Sequence, residues 1–69
     1  MRYAVLFEKT ETGYSAHVPD LPGCVAAGST LEETVDLIRG AIRMHVNGML
    51  EDGELVPEPK TIAEYVVAA

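Results

Sequence analysis

Residues 13–33 read Gly-Tyr-Ser-Ala-His-Val-Pro-Asp-Leu-Pro-Gly-Cys-Val-Ala-Ala-Gly-Ser-Thr-Leu-Glu-Glu, and this stretch decides the topology. Tyr14, Ala16 and Val18 alternate with Ser15 and His17, which predicts a strand with one buried face. Pro19 ends that strand because it has no N–H to give the ladder. Asp20-Leu21-Pro22-Gly23 predicts a reversal: aspartate to bond the local backbone, proline to set φ, glycine for conformational freedom. Cys24–Ala27 then reads as a short third strand of small residues. Thr30, three residues before Glu33, forms a capping box at a helix start. Glu32, Glu33 and Asp36 suit the positive end of the helix dipole.

Upstream, residues 2–8 alternate, with Tyr3, Val5 and Phe7 on one face and Ala4, Leu6 and Glu8 on the other. That pattern is a strand, joined to the next by Thr10-Glu11-Thr12-Gly13, a turn in which Gly13 is free to take positive φ. Downstream, the helix is predicted to run to about Glu51, with Gly53 as its stop. At about 100° per residue, Leu31, Val35, Ile38, Ile42, Val46 and Met49 share one stripe. Leu37, Ala41, Met44 and Gly48 form a weaker apolar flank beside it. Gly40 and Gly48 each cost about 1 kcal/mol relative to alanine inside a helix, so both are candidate points of close approach. Pro57 and Pro59 make residues 54–60 an extended connector. Thr-Ile-Ala-Glu-Tyr-Val-Val at 61–67 is predicted as a fourth strand. The order β-β-β-α-β makes an α+β fold, a single domain over 1–69.

One helix covers one face of such a sheet. Ala4 and Leu6 lie opposite Tyr3, Val5 and Phe7, and the last strand is apolar on both sides. The second face is therefore expected to need a cover or a partner at its edge. Size points the same way. A chain of 69 residues buries only about 60% of its unfolded surface. With one cysteine, Cys24, an internal disulfide is excluded, and two separated histidines do not make a zinc site. A homodimer or homotetramer is expected.

Eleven acidic and five basic residues give a net charge of −6, which repels phosphate backbones and anionic lipid. Direct nucleic-acid or membrane binding is not expected, whereas a basic protein would be attracted. No run reaches the roughly 20 apolar residues of a membrane span, and the apolar stretch before Glu8 is too short for a signal peptide. A lone thiol suits a reducing compartment, so a cytoplasmic protein is expected.

The pattern resembles the N-terminal domain of the HicB family of antitoxins, which has a partial ribonuclease-H-like fold. The residues that carry the resemblance are Tyr3-x-Val5, then Gly13-Tyr14-x-Ala16-x-Val18-Pro19-Asp20-Leu21-Pro22-Gly23-Cys24, then Gly28-x-Thr30-x-Glu32-Glu33 and the helix with Ala41-Ile42. They span almost the whole chain. The resemblance implies a four-stranded mixed sheet of order 3-2-1-4 with the helix on one face. It implies a partner too: a HicA-type toxin, a small basic ribonuclease acting on mRNA, whose active surface the antitoxin covers. Many members carry a C-terminal DNA-binding domain. This chain stops after the predicted fourth strand, so the resemblance implies a stand-alone member with the toxin-binding half, or one whose toxin is lost.

No enzyme is expected. Ribonuclease H chemistry needs several carboxylates around two metal ions, yet Arg2–Phe7 contain no acid, and Glu8, Asp20 and Glu64 are scattered. His17, His45 and Cys24 lack a third group to orient a nucleophilic pair. No catalytic residue, metal or cofactor is therefore assigned. The candidate partner-binding residues are Asp20, Leu21, Pro22, Gly23 and Cys24, which specify the corner and also expose an edge. Leu6, Leu37 and Met44 are candidate contacts between copies. A small-ligand-binding or scaffold oligomer of the same fold, without a toxin, is the alternative.

Overall fold

The computed structural model describes residues 1–69. Three strands, β1 (Leu6–Lys9), β2 (Tyr14–His17) and β3 (Val25–Gly28), precede one helix, α1 (Leu31–Glu51). The strands form an antiparallel sheet of order β1-β2-β3. Phe7, Ala16 and Ala26 fall in one row across it and meet the helix. The core consists of Ala16, Val18, Leu21, Cys24 and Ile38, with Tyr3, Val5, Phe7, Ala41, Ile42 and Val46 packed around it.

The fourth strand expected at 61–67, and with it the four-stranded sheet of order 3-2-1-4, does not form. Residues 54–69 carry no strand and pair with nothing in the sheet. β-branched residues favour strands because they pack on a pleated, half-buried surface, and here no such surface is reached. Ile62, Tyr65, Val66 and Val67 are each at least 84% exposed. The first strand is also shorter than its alternation suggests. Its ladder starts at Leu6, opposite His17, because β2 turns away beyond that residue at Pro19 and leaves Tyr3–Val5 with no strand to face.

The corner between β2 and β3 is two turns in series. Leu21 N–H donates to Val18 O at 3.0 Å, and Cys24 N–H donates to Leu21 O at 3.0 Å. The second is a type II turn: Pro22 presets its first central position, and Gly23 supplies φ of 85° at the other. Val18 N–H donates to Cys24 O at 3.1 Å, closing the corner and pointing Leu21 wholly into the core.

The helix begins and ends where its sequence signals lie. Thr30 Oγ1 accepts from Glu33 N–H at 3.1 Å, while the Glu33 carboxylate accepts from Ser29 N–H at 3.3 Å, one residue earlier than the usual capping box. At the other end Glu54 N–H donates to Met49 O and Gly53 N–H to Leu50 O. Together with φ of 72° at Gly53, that is a Schellman motif.

The seat of the helix depends on two glycines and a threonine. A Cβ on Gly13 would lie 2.1 Å from Gly28 O, and one on Gly28 would lie 2.7 Å from Thr34 Oγ1. Gly13 is thus needed for close approach; the positive φ open to a glycine there is not used. Thr34, outside the predicted stripe, is fully buried, its hydroxyl donating to Thr30 O at 2.7 Å. Gly40 and Gly48 have nothing near them in this chain. Gly13→Ala is therefore expected to destabilise by about 1–3 kcal/mol through overpacking. Gly40→Ala should stabilise by up to about 1 kcal/mol through helix propensity. Urea titration of both variants checks the opposite signs.

Candidate partner-binding surface

Of the five corner residues singled out by sequence, Leu21 and Cys24 are buried in the core, and Pro22 and Gly23 are exposed. Burial pushes the Cys24 thiol pKa up, which keeps it protonated and unreactive. Asp20 does something its local context did not announce. Instead of bonding its own turn, its carboxylate accepts from Lys60 N–H and Thr61 N–H, each at 2.9 Å, and from the Thr61 hydroxyl at 2.8 Å. Tyr3 OH also donates to Pro57 O. These contacts pin the connector to the sheet end across separations of 40 to 54 residues.

Leu6, Leu37 and Met44 are not brought together. Leu6 lies in a row with His17 and Val25 on the face that α1 does not cover. The next row holds Glu8, Ser15 and Ala27, so the open face is mixed: Leu6 and Val25 are set among a carboxylate, a hydroxyl and an imidazole. Leu37 and Met44 instead line an open apolar groove between α1 and the β3 edge, with Val25, Ala27 and Ala41. Met44 borders a second groove as well, with Pro22, His45, Met49, Asp52 and Glu54. It thus joins the corner to the helix flank in one surface with acidic groups at its border. Val25 was missed by sequence reasoning, although it is the one bulky side chain in β3 and alternates outward from buried Cys24. No group of three or more His, Cys, Asp or Glu side chains is placed to hold a metal ion, and no helix is long and apolar enough to cross a membrane.

The two backbone N–H donors and the Thr61 hydroxyl favour the ionised form of Asp20 and hold its pKa below the ordinary 3.8. A depressed folded-state pKa means that the clamp's contribution is complete above the unfolded value and is lost as pH falls through the folded one. The amide resonances of Lys60 and Thr61 should accordingly titrate together, with a midpoint below 3.8. Asp20→Asn should abolish that titration and speed exchange of both amides at neutral pH. Unchanged exchange in the variant would remove the clamp.

The family model described as "HicB_like antitoxin of bacterial toxin-antitoxin system" matches residues 3–69. An uncharacterized 14.9 kDa protein from the rep-hol intergenic region of Haemophilus phage HP1 (strain HP1c1) is 44% identical over 66 residues, 96% of this chain and 50% of that protein. Antitoxin HicB 2 of Photorhabdus laumondii subsp. laumondii is 36% identical over 67 residues, 97% of this chain and 48% of that protein. A UPF0150 protein of Thermoplasma acidophilum is 38% identical over 58 residues, 83% of this chain and 84% of that protein. This chain thus spans about half the length of the first two relatives and most of the third. A chain in the solved structure titled "HicA3 and HicB3 toxin-antitoxin complex" superposes with a TM-score of 0.74 at 28% identity, covering 86% of this chain and 70% of that one. With a match from Tyr3 to the last residue, the chain belongs to the HicB-like antitoxin family.

Proposed function

We propose that this chain is a toxin-binding module that neutralises a small basic HicA-type ribonuclease by covering its active surface. It acts by contact alone, with no catalytic step of its own, in the cytoplasm, where the buried Cys24 thiol stays reduced. The observation that carries the reading is the surface around Met44. A basic toxin presents positive groups around a surface that must reach RNA. The surface offered here pairs an apolar centre (Val25, Leu37, Met44) with the carboxylates of Asp52 and Glu54, on a chain of net charge −6. An apolar centre supplies affinity and a charged rim supplies rate and specificity. Gly40 and Gly48, with open space around them, let a partner approach the helix backbone on that side. Pro22 and Gly23 extend the surface to the corner. Both grooves are open channels, a form that suits a protein surface better than a small metabolite.

The test is a binding and cleavage assay with a purified HicA-type ribonuclease. Stoichiometric chain should stop RNA cleavage, and added salt should slow association. Met44 is 76% exposed, so Met44→Glu should leave thermal unfolding unchanged while weakening the complex by about tenfold or more. Cleavage that continues at full speed under excess chain would refute the proposal.

A further inference from the structure

Residues 62–67 hold four bulky apolar side chains, Ile62, Tyr65, Val66 and Val67, each at least 84% exposed. No other stretch of the chain is at once so apolar and so uncovered. It is also well directed. The three hydrogen bonds from Lys60 and Thr61 to Asp20 fix where it leaves the body of the protein. Beyond that clamp it pairs with no strand of its own chain.

The sheet meanwhile has two open margins. β1 is bonded to β2 on one side only, and β3 likewise. β3 and β1 are each four residues long, but β3 is the poorer acceptor because it ends on Gly28 and the turn at Gly23 stops its extension upstream. On the β1 side, residues 3–9 match residues 61–67 in length and contain neither proline nor glycine. Charges are mixed on both sides, Arg2, Glu8 and Lys9 along that edge and Lys60 and Glu64 along the segment, so neither side carries a block of one sign. A β-rich segment with no ladder and an edge with no neighbour are complementary in backbone bonding.

We infer that residues 61–67 of one copy pair with the outer edge of β1 in a second copy, and the reverse, as an exchanged segment of a two-fold dimer. Each copy offers one segment and one edge, so two identical contacts close the assembly and leave neither unpaired. Main-chain hydrogen bonds supply the affinity, as in other strand additions. Each chain's own sheet remains three-stranded; the added segment belongs to the neighbour. The inference is independent of the toxin reading, because it needs no second kind of protein. Two surfaces of net charge −6 also repel, so added salt should strengthen this dimer, opposite to its effect on a complex with a basic protein.

The experiment uses the whole chain. Sedimentation equilibrium should give twice the 7.4 kDa of one chain. An equal mixture of isotope-labelled and unlabelled protein, unfolded and refolded together, should show interchain nuclear Overhauser contacts between residues 61–67 and residues 3–9. Neighbouring N–H groups in a strand point to opposite sides, so Val66→Pro and Val67→Pro are made in parallel. At least one should be monomeric with its helical circular dichroism retained, while Val66→Thr stays dimeric. A monomeric parent chain would overturn the inference. So would contacts confined to one chain, a dimer that survives both prolines, or a segment that orders only on adding a small basic protein.

Discussion

One corner, residues 18–24, holds this small structure together by pointing two neighbouring side chains at different tasks. Leu21 enters the core with no exposed surface, where it joins the sheet to α1. Asp20 clamps a connector that is forty residues further along the chain. The backbone permits both because Gly23 adopts the left-handed conformation that a type II turn requires. With only six of 69 residues buried, the core has no reserve. Loss of the Leu21 contact would leave Ile38 of the helix resting on little more than Ala16, Val18 and Cys24. The opposite end of the sheet is held by a different means, the stacked close approach of Gly13, Gly28 and Thr34.

What the sequence made legible is what short-range chemistry controls. The helix lies where Thr30, Glu33 and Gly53 place it, and the reversal lies where Pro22 and Gly23 place it, because caps and turns are settled by residues a few positions apart. Thr34 was missed since a hydroxyl breaks the apolar stripe, yet it satisfies itself on Thr30 O and so is buried at little cost. The role of Gly13 was hidden for a related reason. Its sequence context showed a turn, whereas its constraint comes from a carbonyl in β3.

The fourth strand failed on a different ground. Ile62, Val66 and Val67 have every local mark of a strand, but local propensity does not say which edge a segment reaches, or whether it reaches one. That is decided by Asp20, whose target could not be read from its neighbours in sequence. The candidate site divides in the same way. Spacing identified the corner, while burial, a property of the whole fold, turned Leu21 and Cys24 inward and left Pro22 and Gly23 at the surface. Val25 and Met44 came together only once β3 and α1 were packed.

The strand order separates the two associations argued for this chain. β2 stands between β1 and β3, so an edge used by a second copy is on the far margin from the groove that Val25, Leu37 and Met44 line. Pairing at β1 would therefore leave the Met44 surface open in both copies, and a two-fold dimer would present it twice. A partner held at two such surfaces gains from effective concentration without any new contact. The two associations also respond to salt with opposite sign, since one joins like charges and the other unlike charges. Ionic strength thus separates a dimer that has lost its partner from a complex that has lost its dimer.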